Sequence, residues 1–181
     1  MKRILSLSLL LAGTALIGSS SSAKIKALTL PEMVALADGA VFGQITQREV
    51  FRVDHPIDGP ELYYTHLTVA GRSLVDGSPQ EVRMTFRGGF IDAQNGAFNS
   101  EAPQEHEVEI GKQVVAFHKF IENMGGDVSA NALLGGHGGL FPVVRNQNEE
   151  LVVLGRGVGY PVSTNVALGE LDEKISVLAG K

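Results

Sequence analysis

The sequence predicts a mainly β domain, with five to six antiparallel strands closed into a small barrel, a short helix before them and a longer amphipathic helix after. Three observations predict it. Apolar residues alternate with polar ones over short segments, most plainly at Val82, Met84 and Phe86, which is the period of a half-buried strand. Between such segments lie clusters such as Asp76-Gly77-Ser78-Pro79, whose residues turn a chain. Helical spacing appears only at the two ends, at Leu30, Met33, Val34 and Ala37 and again at Leu168, Leu171, Ile175 and Leu178. Closure into a barrel is the usual way for such strands to remove exposed edges.

The elements follow in order. Lys2 and Arg3, then an apolar run over residues 4–17, then small residues ending Ser21-Ser22-Ala23, have the order of a secretory signal peptide covering residues 1–23. That run falls short of the ~20 residues a bilayer span needs, and no later stretch approaches it. Thr29-Leu30-Pro31-Glu32 carries the signals of a helix start: a capping Thr, a first-turn Pro and a Glu that can close a capping box. Asp38-Gly39 ends that helix. Strands are expected over residues 40–54, 63–75 and 82–86, with a turn-rich loop at His55-Pro56-Ile57-Asp58-Gly59-Pro60. Residues 90–107 read as loop. Residues 113–120 are a compact apolar run that suits a strand buried on both faces. Residues 122–139 read as a long glycine-rich connection. Residues 140–144 and 151–154 flank Arg145-Asn146-Gln147-Asn148-Glu149-Glu150 as a hairpin, and a closing helix starts near Val166. The expected organisation is a leader at 1–23, a barrel domain at 24–162, and a terminal helix at 163–181 packed on the same domain.

Composition narrows the function. The 15 Lys and Arg face 20 Asp and Glu, and because Lys2 and Arg3 fall in the leader, the mature formal charge deepens from −5 to −7. An acidic domain without a basic cluster is a poor partner for nucleic acid or anionic membrane. Cysteine is absent, which removes disulfides, a lipidated cysteine, thiolate zinc sites and a cysteine nucleophile. Leader and missing Cys together suit a bacterial periplasmic or extracellular protein.

Tyr64-Thr65-His66-Leu67-Thr68-Val69, followed by Leu74-Val75-Asp76-Gly77, resembles a YT-x-V-T-x-V…V-L-K-G pattern. That pattern recurs in small exported bacterial domains of uncharacterised function with an OB-like, netrin/tissue-inhibitor-type barrel. The flanks are similar too: PEMVALADGAVFG from Pro31 to Gly43, the pair Gly88-Gly89, the strand Ile110-Gly111-Lys112-Gln113-Val114-Val115-Ala116-Phe117, and Gly139-Leu140-Phe141-Pro142-Val143. Asp76 stands where that pattern has Lys, and Gly138 where it has Gln. The resemblance implies an OB-like fold and an exported life, and it carries no catalytic residues with it. Inhibitor-like members of that fold use a disulfide-anchored N-terminal cysteine, which this chain lacks.

Candidate chemistry is sparse. Gln104-Glu105-His106-Glu107-Val108-Glu109 begins like a zinc-protease His-Glu-x-x-His, but Ile110 occupies the second His position, so the motif fails. His66 is expected to lie at the surface or pack on its sheet, and His118, at the end of an apolar strand, to satisfy a local hydrogen bond. Gly135-Gly136-His137-Gly138-Gly139 lacks the Lys of a phosphate loop and reads first as a glycine-dependent turn with His137 exposed. Gly155-Arg156-Gly157-Val158-Gly159 reads the same way. Asp54, His55 and Asp58 share one loop and can hold a weak cation, though Pro56 and Pro60 make it a rigid turn first. The binding-loop candidates are therefore His55, Asp58, His106 and His137, with no catalytic, metal or cofactor set expected.

The expected function is non-catalytic binding, as a monomer, of an envelope or secreted protein, a peptide or a glycan through loops 54–62, 89–104 and 122–138. The alternative is a small secreted hydrolase or metal-dependent enzyme using His137, His106 and nearby carboxylates. Clustering of His137 with another His or a carboxylate in a deep pocket would favour the enzyme.

Overall fold

The computed structural model describes residues 28–180. The leader expected at residues 1–23, and the mature start that follows it, lie outside the described residues. Thr29 caps the first helix, α1 (Leu30–Leu36), through a capping box. Its backbone N–H and hydroxyl both donate to Glu32 Oε2 at 2.8 Å, while Glu32 N–H donates back to Thr29 Oγ1. Met33 is the side chain this helix buries.

The strands are β1 (Gly39–His55), β2 (Gly59–Ser73), β3 (Pro79–Arg87), β4 (Gly89–Phe90), β5 (Gly96–Ala97), β6 (Gln113–Ile121), β7 (Ala130–Leu133), β8 (Leu140–Arg145), β9 (Leu151–Val153) and β10 (Val166–Ala167), with the helix α2 (Leu168–Leu178) at the end. Strands β1, β2, β3, β7 and β6 close into a barrel, because β6 pairs back onto β1 from Gly39 opposite His118 to Gln44 opposite Gln113. β8, β9 and β10 continue the sheet outside it from β6. The closing ladder between β3 and β7 is parallel, Met84 opposite Asn131 and Thr85 opposite Ala132, so the barrel is mixed rather than antiparallel throughout. β4 and β5 form a separate two-stranded hairpin.

Two apolar clusters follow from strand alternation. Val41, Ile45, Leu67, Val69, Val82, Met84, Val114 and Ala116 fill the barrel. Val115, Phe117, Phe141 and Val153 face outward, where Met33 of α1 and Leu171 and Ile175 of α2 cover them. β6 contributes to both clusters, which is why its sequence reads as one continuous apolar run. Glycines let β1 and β2 approach where the barrel bends: a Cβ at Gly43 would overlap the Ala70 carbonyl, and one at Gly71, its register partner, the Phe42 carbonyl.

The connection expected over 122–139 contains β7 and a 3-10 turn at Gly136–Gly139, and the loop expected over 90–107 contains β4, β5 and a 3-10 turn at Glu105–Glu107. α2 begins at Leu168, with Ala167 at its cap position. Among the described residues no helix is long and apolar enough to cross a membrane.

Candidate functional site

The β1–β2 hairpin outlasts the barrel. A bulge between Ile45 and Gln47 shifts the register, so Arg48 stands opposite Leu67 and Val50 opposite Thr65. Leu67 fills the barrel, so Arg48 and Val50 extend that inward face past the closed ladders. The β4–β5 hairpin folds over this extension, fastened by the Thr65 hydroxyl donating to the Gly88 carbonyl at 2.7 Å. Between the hairpin and residues 97–108 lies a cleft of about 360 Å³. Phe86 and Val108 belong both to its lining and to the barrel interior, so the cleft sits at the barrel mouth, a usual place for ligands.

Its electrostatics are simple. Arg48 is the cation and Glu105 the carboxylate among its lining residues. The Arg48 side chain is 24% exposed and that of Glu105 80%. Both Arg48 Nη atoms donate to one oxygen, Glu105 Oε1, at 3.2 and 3.3 Å. Arg48 Nε is buried and has no hydrogen-bond partner among the described residues. An N–H left in that condition costs about 1–3 kcal/mol. The rim is apolar: Phe98 is 83% exposed, and Phe90 is about half exposed.

Three contacts hold the outer wall. Asn99 donates its side-chain amide to the Arg87 carbonyl at 2.8 Å. The Glu101 carbonyl accepts the His137 backbone N–H at 2.7 Å. Arg156 donates to Glu107 Oε1 at 2.8 Å and, through Nε and Nη2, to the Leu140 carbonyl, in a pair whose side chains are 16% and 10% exposed. The glycine turn and the Gly155–Gly159 segment singled out in the sequence thus brace the cleft from behind. At Gly139 a Cβ would overlap the Leu134 carbonyl oxygen.

The four sequence candidates are not brought together into one site. His137 is half-buried rather than exposed; its Nε2 meets the Tyr160 hydroxyl at 2.8 Å and its Nδ1 lies 3.3 Å from the Glu101 carbonyl. Tyr160 also lies against its ring. His106 is exposed on the 3-10 turn. His55 and Asp58 sit at the β1–β2 tip and clasp residues 123–127. His55 Nδ1 accepts the Asp58 backbone N–H at 3.0 Å, which places the proton on Nε2, 3.2 Å from Asp127 Oδ2. Asp58 Oδ2 accepts the Gly126 N–H at 2.6 Å. The Tyr64 hydroxyl, shared between the carbonyls of Met124 and Gly125, completes the clasp. Among the described residues no three His, Asp or Glu side chains are grouped as a metal ion requires.

Two other histidines depart from the ordinary range. His118 is buried with neither ring nitrogen hydrogen-bonded among the described residues, contrary to the local bond expected for it. Burial pushes its pKa down, against the opposing charge of Asp38. His66 is also pushed down, by burial first and by Arg83 second; its Nδ1 meets the Thr85 hydroxyl at 2.8 Å and its ring lies 4.3 Å from Phe51.

Of the three loops expected to bind, 89–104 lines the cleft, while 54–62 and 122–138 are tied to each other. Arg48 escaped the sequence reading, and its signal was a cation on the inward register of a strand. The Phe90 and Phe98 rim was visible as large apolar residues within an otherwise polar loop. Compared with models of protein families, with curated proteins and with solved structures, the chain matches none.

Proposed function

We propose that this chain is an exported, non-catalytic binding domain, and that the cleft at the barrel mouth receives a peptide segment of an envelope or secreted protein. One observation carries the reading: an apolar cleft of about 360 Å³ with a single buried-stem arginine and a rim of exposed Phe90 and Phe98. Pockets of roughly 300–1,000 Å³ with an apolar lining and few polar groups are the common form of a binding site, and exposed apolar patches mark interaction surfaces. The acidic mature composition argues for a peptide or protein over nucleic acid.

The order β1-β2-β3-β7-β6 around the barrel, with its parallel closure, supports the OB-like reading that the sequence resemblance implies. Barrels of that kind bind at a strand face and its rimming loops. The basic start, apolar run and small-residue end of residues 1–23 support export. The enzyme alternative draws less support, since the ring of His137 engages Tyr160 and a backbone carbonyl rather than a second His or a carboxylate.

A photo-crosslinking amino acid at Phe98 tests the reading against one at Val158, which is fully exposed on a loop distant in sequence. Incubated with envelope extract, the Phe98 position is expected to give discrete adducts that an excess of unlabelled protein suppresses, and the Val158 position none. Equal, unsuppressed labelling from both positions would remove the cleft from consideration.

A further inference from the structure

Resting on the cleft as the binding site, the geometry points to a more specific occupant: we propose that it captures the free C-terminus of a polypeptide whose last residue is large and apolar, with Arg48 receiving the terminal carboxylate. Arg48 is the cation of the lining, and one guanidinium matches one monovalent anion better than a phosphate carrying close to two charges. Its present partner is a poor one. Glu105 is mostly exposed and offers a single oxygen to both Nη atoms, a pair of the kind that contributes little in solvent. A carboxylate lying across the two Nη atoms forms two parallel charge-assisted bonds, an arrangement a guanidinium favours. It replaces one shared oxygen with one oxygen per donor and releases Glu105 to water.

The apolar body of such a ligand has a surface to meet. Phe86 and Val108 floor the cleft and Phe90 walls it, so the last side chain is buried while its carboxylate reaches Arg48. The volume is at the small end of the ligand range, enough for a chain end and not for a long segment. Phe98, in the lining and 83% exposed, carries the apolar surface out to solvent, which suits a chain that leaves it. A free fatty acid has no use for that outer rim.

Binding of two fluorescein-labelled hexapeptides ending in Leu-Phe, one with a free carboxylate and one amidated, tests the proposal by fluorescence anisotropy on the intact protein. The acid is expected to bind tighter than the amide by about tenfold or more, the size of one charge-assisted bond. Arg48→Gln collapses that difference. Arg48→Lys, which keeps the charge without the fork, retains part of it. Glu105→Gln removes the competing carboxylate and tightens the acid while leaving the amide unchanged, a gain that no loss of folding can imitate. Phe98→Ala weakens both peptides alike. Equal binding of acid and amide, with both weakened by Phe98→Ala, overturns the carboxylate assignment and leaves the cleft standing. Absence of saturable binding by either peptide overturns the proposal, as does Arg48-dependent binding of decanoate alone.

Discussion

The two ends of the β1–β2 hairpin's company differ in one respect that matters for function. At its tip, His55, Asp58, Asp127 and Tyr64 spend their polar atoms on one another and on the backbone of residues 124–126. On its inward face, Arg48 gives both Nη atoms to one oxygen of an exposed carboxylate, beside aromatic rings left in solvent. A satisfied polar cluster rigidifies; a poorly paired one beside apolar surface has something to gain from a ligand. The residues most conspicuous in the sequence belong to the first kind. The candidate site is of the second kind and is made of ordinary residues.

If the wall of the cleft is held from behind, the largest effects on stability lie in its braces and not in its lining. Arg156→Ala takes the charge partner from the Glu107 carboxylate, 10% exposed, which keeps the Gln104 N–H, and breaking one side of such a buried pair costs about 3–5 kcal/mol. A thermal melt is expected to fall by roughly 6–20 °C, at about 2–4 °C per kcal/mol for a domain of this size. A drop of under 2 °C would mean that the wall stands without its anchor. Next comes Gly139→Val, which drives a side chain into the Leu134 carbonyl. Overpacking of this sort costs about 1–3 kcal/mol, readable as a shift in urea midpoint with an unchanged slope. An unshifted midpoint would remove the close approach as the reason for glycine there.

Legibility of the fold tracked local signals. The capping box at Thr29 and Glu32, the run of β6 and the spacing of α2 are short-range patterns, and each appears where the sequence placed it. β7 was missed because Ala130-Asn131-Ala132-Leu133 is short and weakly apolar; its strand state comes from pairing with β3 and β6, which no local window contains. Missing β7 also hid the parallel closure. The site was harder for the same reason. The bulge at Ile45/Gln47 decides that Arg48 faces inward, and a one-residue slip flips every later side chain. Histidines drew attention by residue type, whereas Arg48, Phe90 and Phe98 matter by position.

A moderate effect depends on pH. Burial holds His118 below its ordinary value, so its folded pKa lies below the unfolded one of about 6.5. Above that value both states are neutral and His118 adds no pH dependence. As pH falls below it the unfolded chain takes up the proton first, so stability falls until the folded pKa is passed. His66 is shifted the same way and adds to the slope. Urea unfolding at pH 7.5 and 5.0 is expected to show lower stability at pH 5.0, with a smaller loss in His118→Leu than in the parent. An equal loss in both would assign the acid sensitivity elsewhere.

The smallest stability effect is the sharpest test of the comparison. Phe98 is 83% exposed, so Phe98→Ala removes almost no buried surface and is expected to change stability by less than about 0.5 kcal/mol. If the rim exists for a partner, the same change weakens binding at the cleft while the melt stays put. Replacing His55 by Ala has the opposite signature: the clasp to Asp127 is lost and local stability falls, while cleft binding holds. Parallel melts and peptide titrations on the two variants separate the roles. Should Phe98→Ala lower the melting temperature by several degrees, the ring packs inward in solution and the rim is structure rather than surface. Should His55→Ala abolish cleft binding with the melt unchanged, the tip and the mouth work as one site, and the division drawn between them fails.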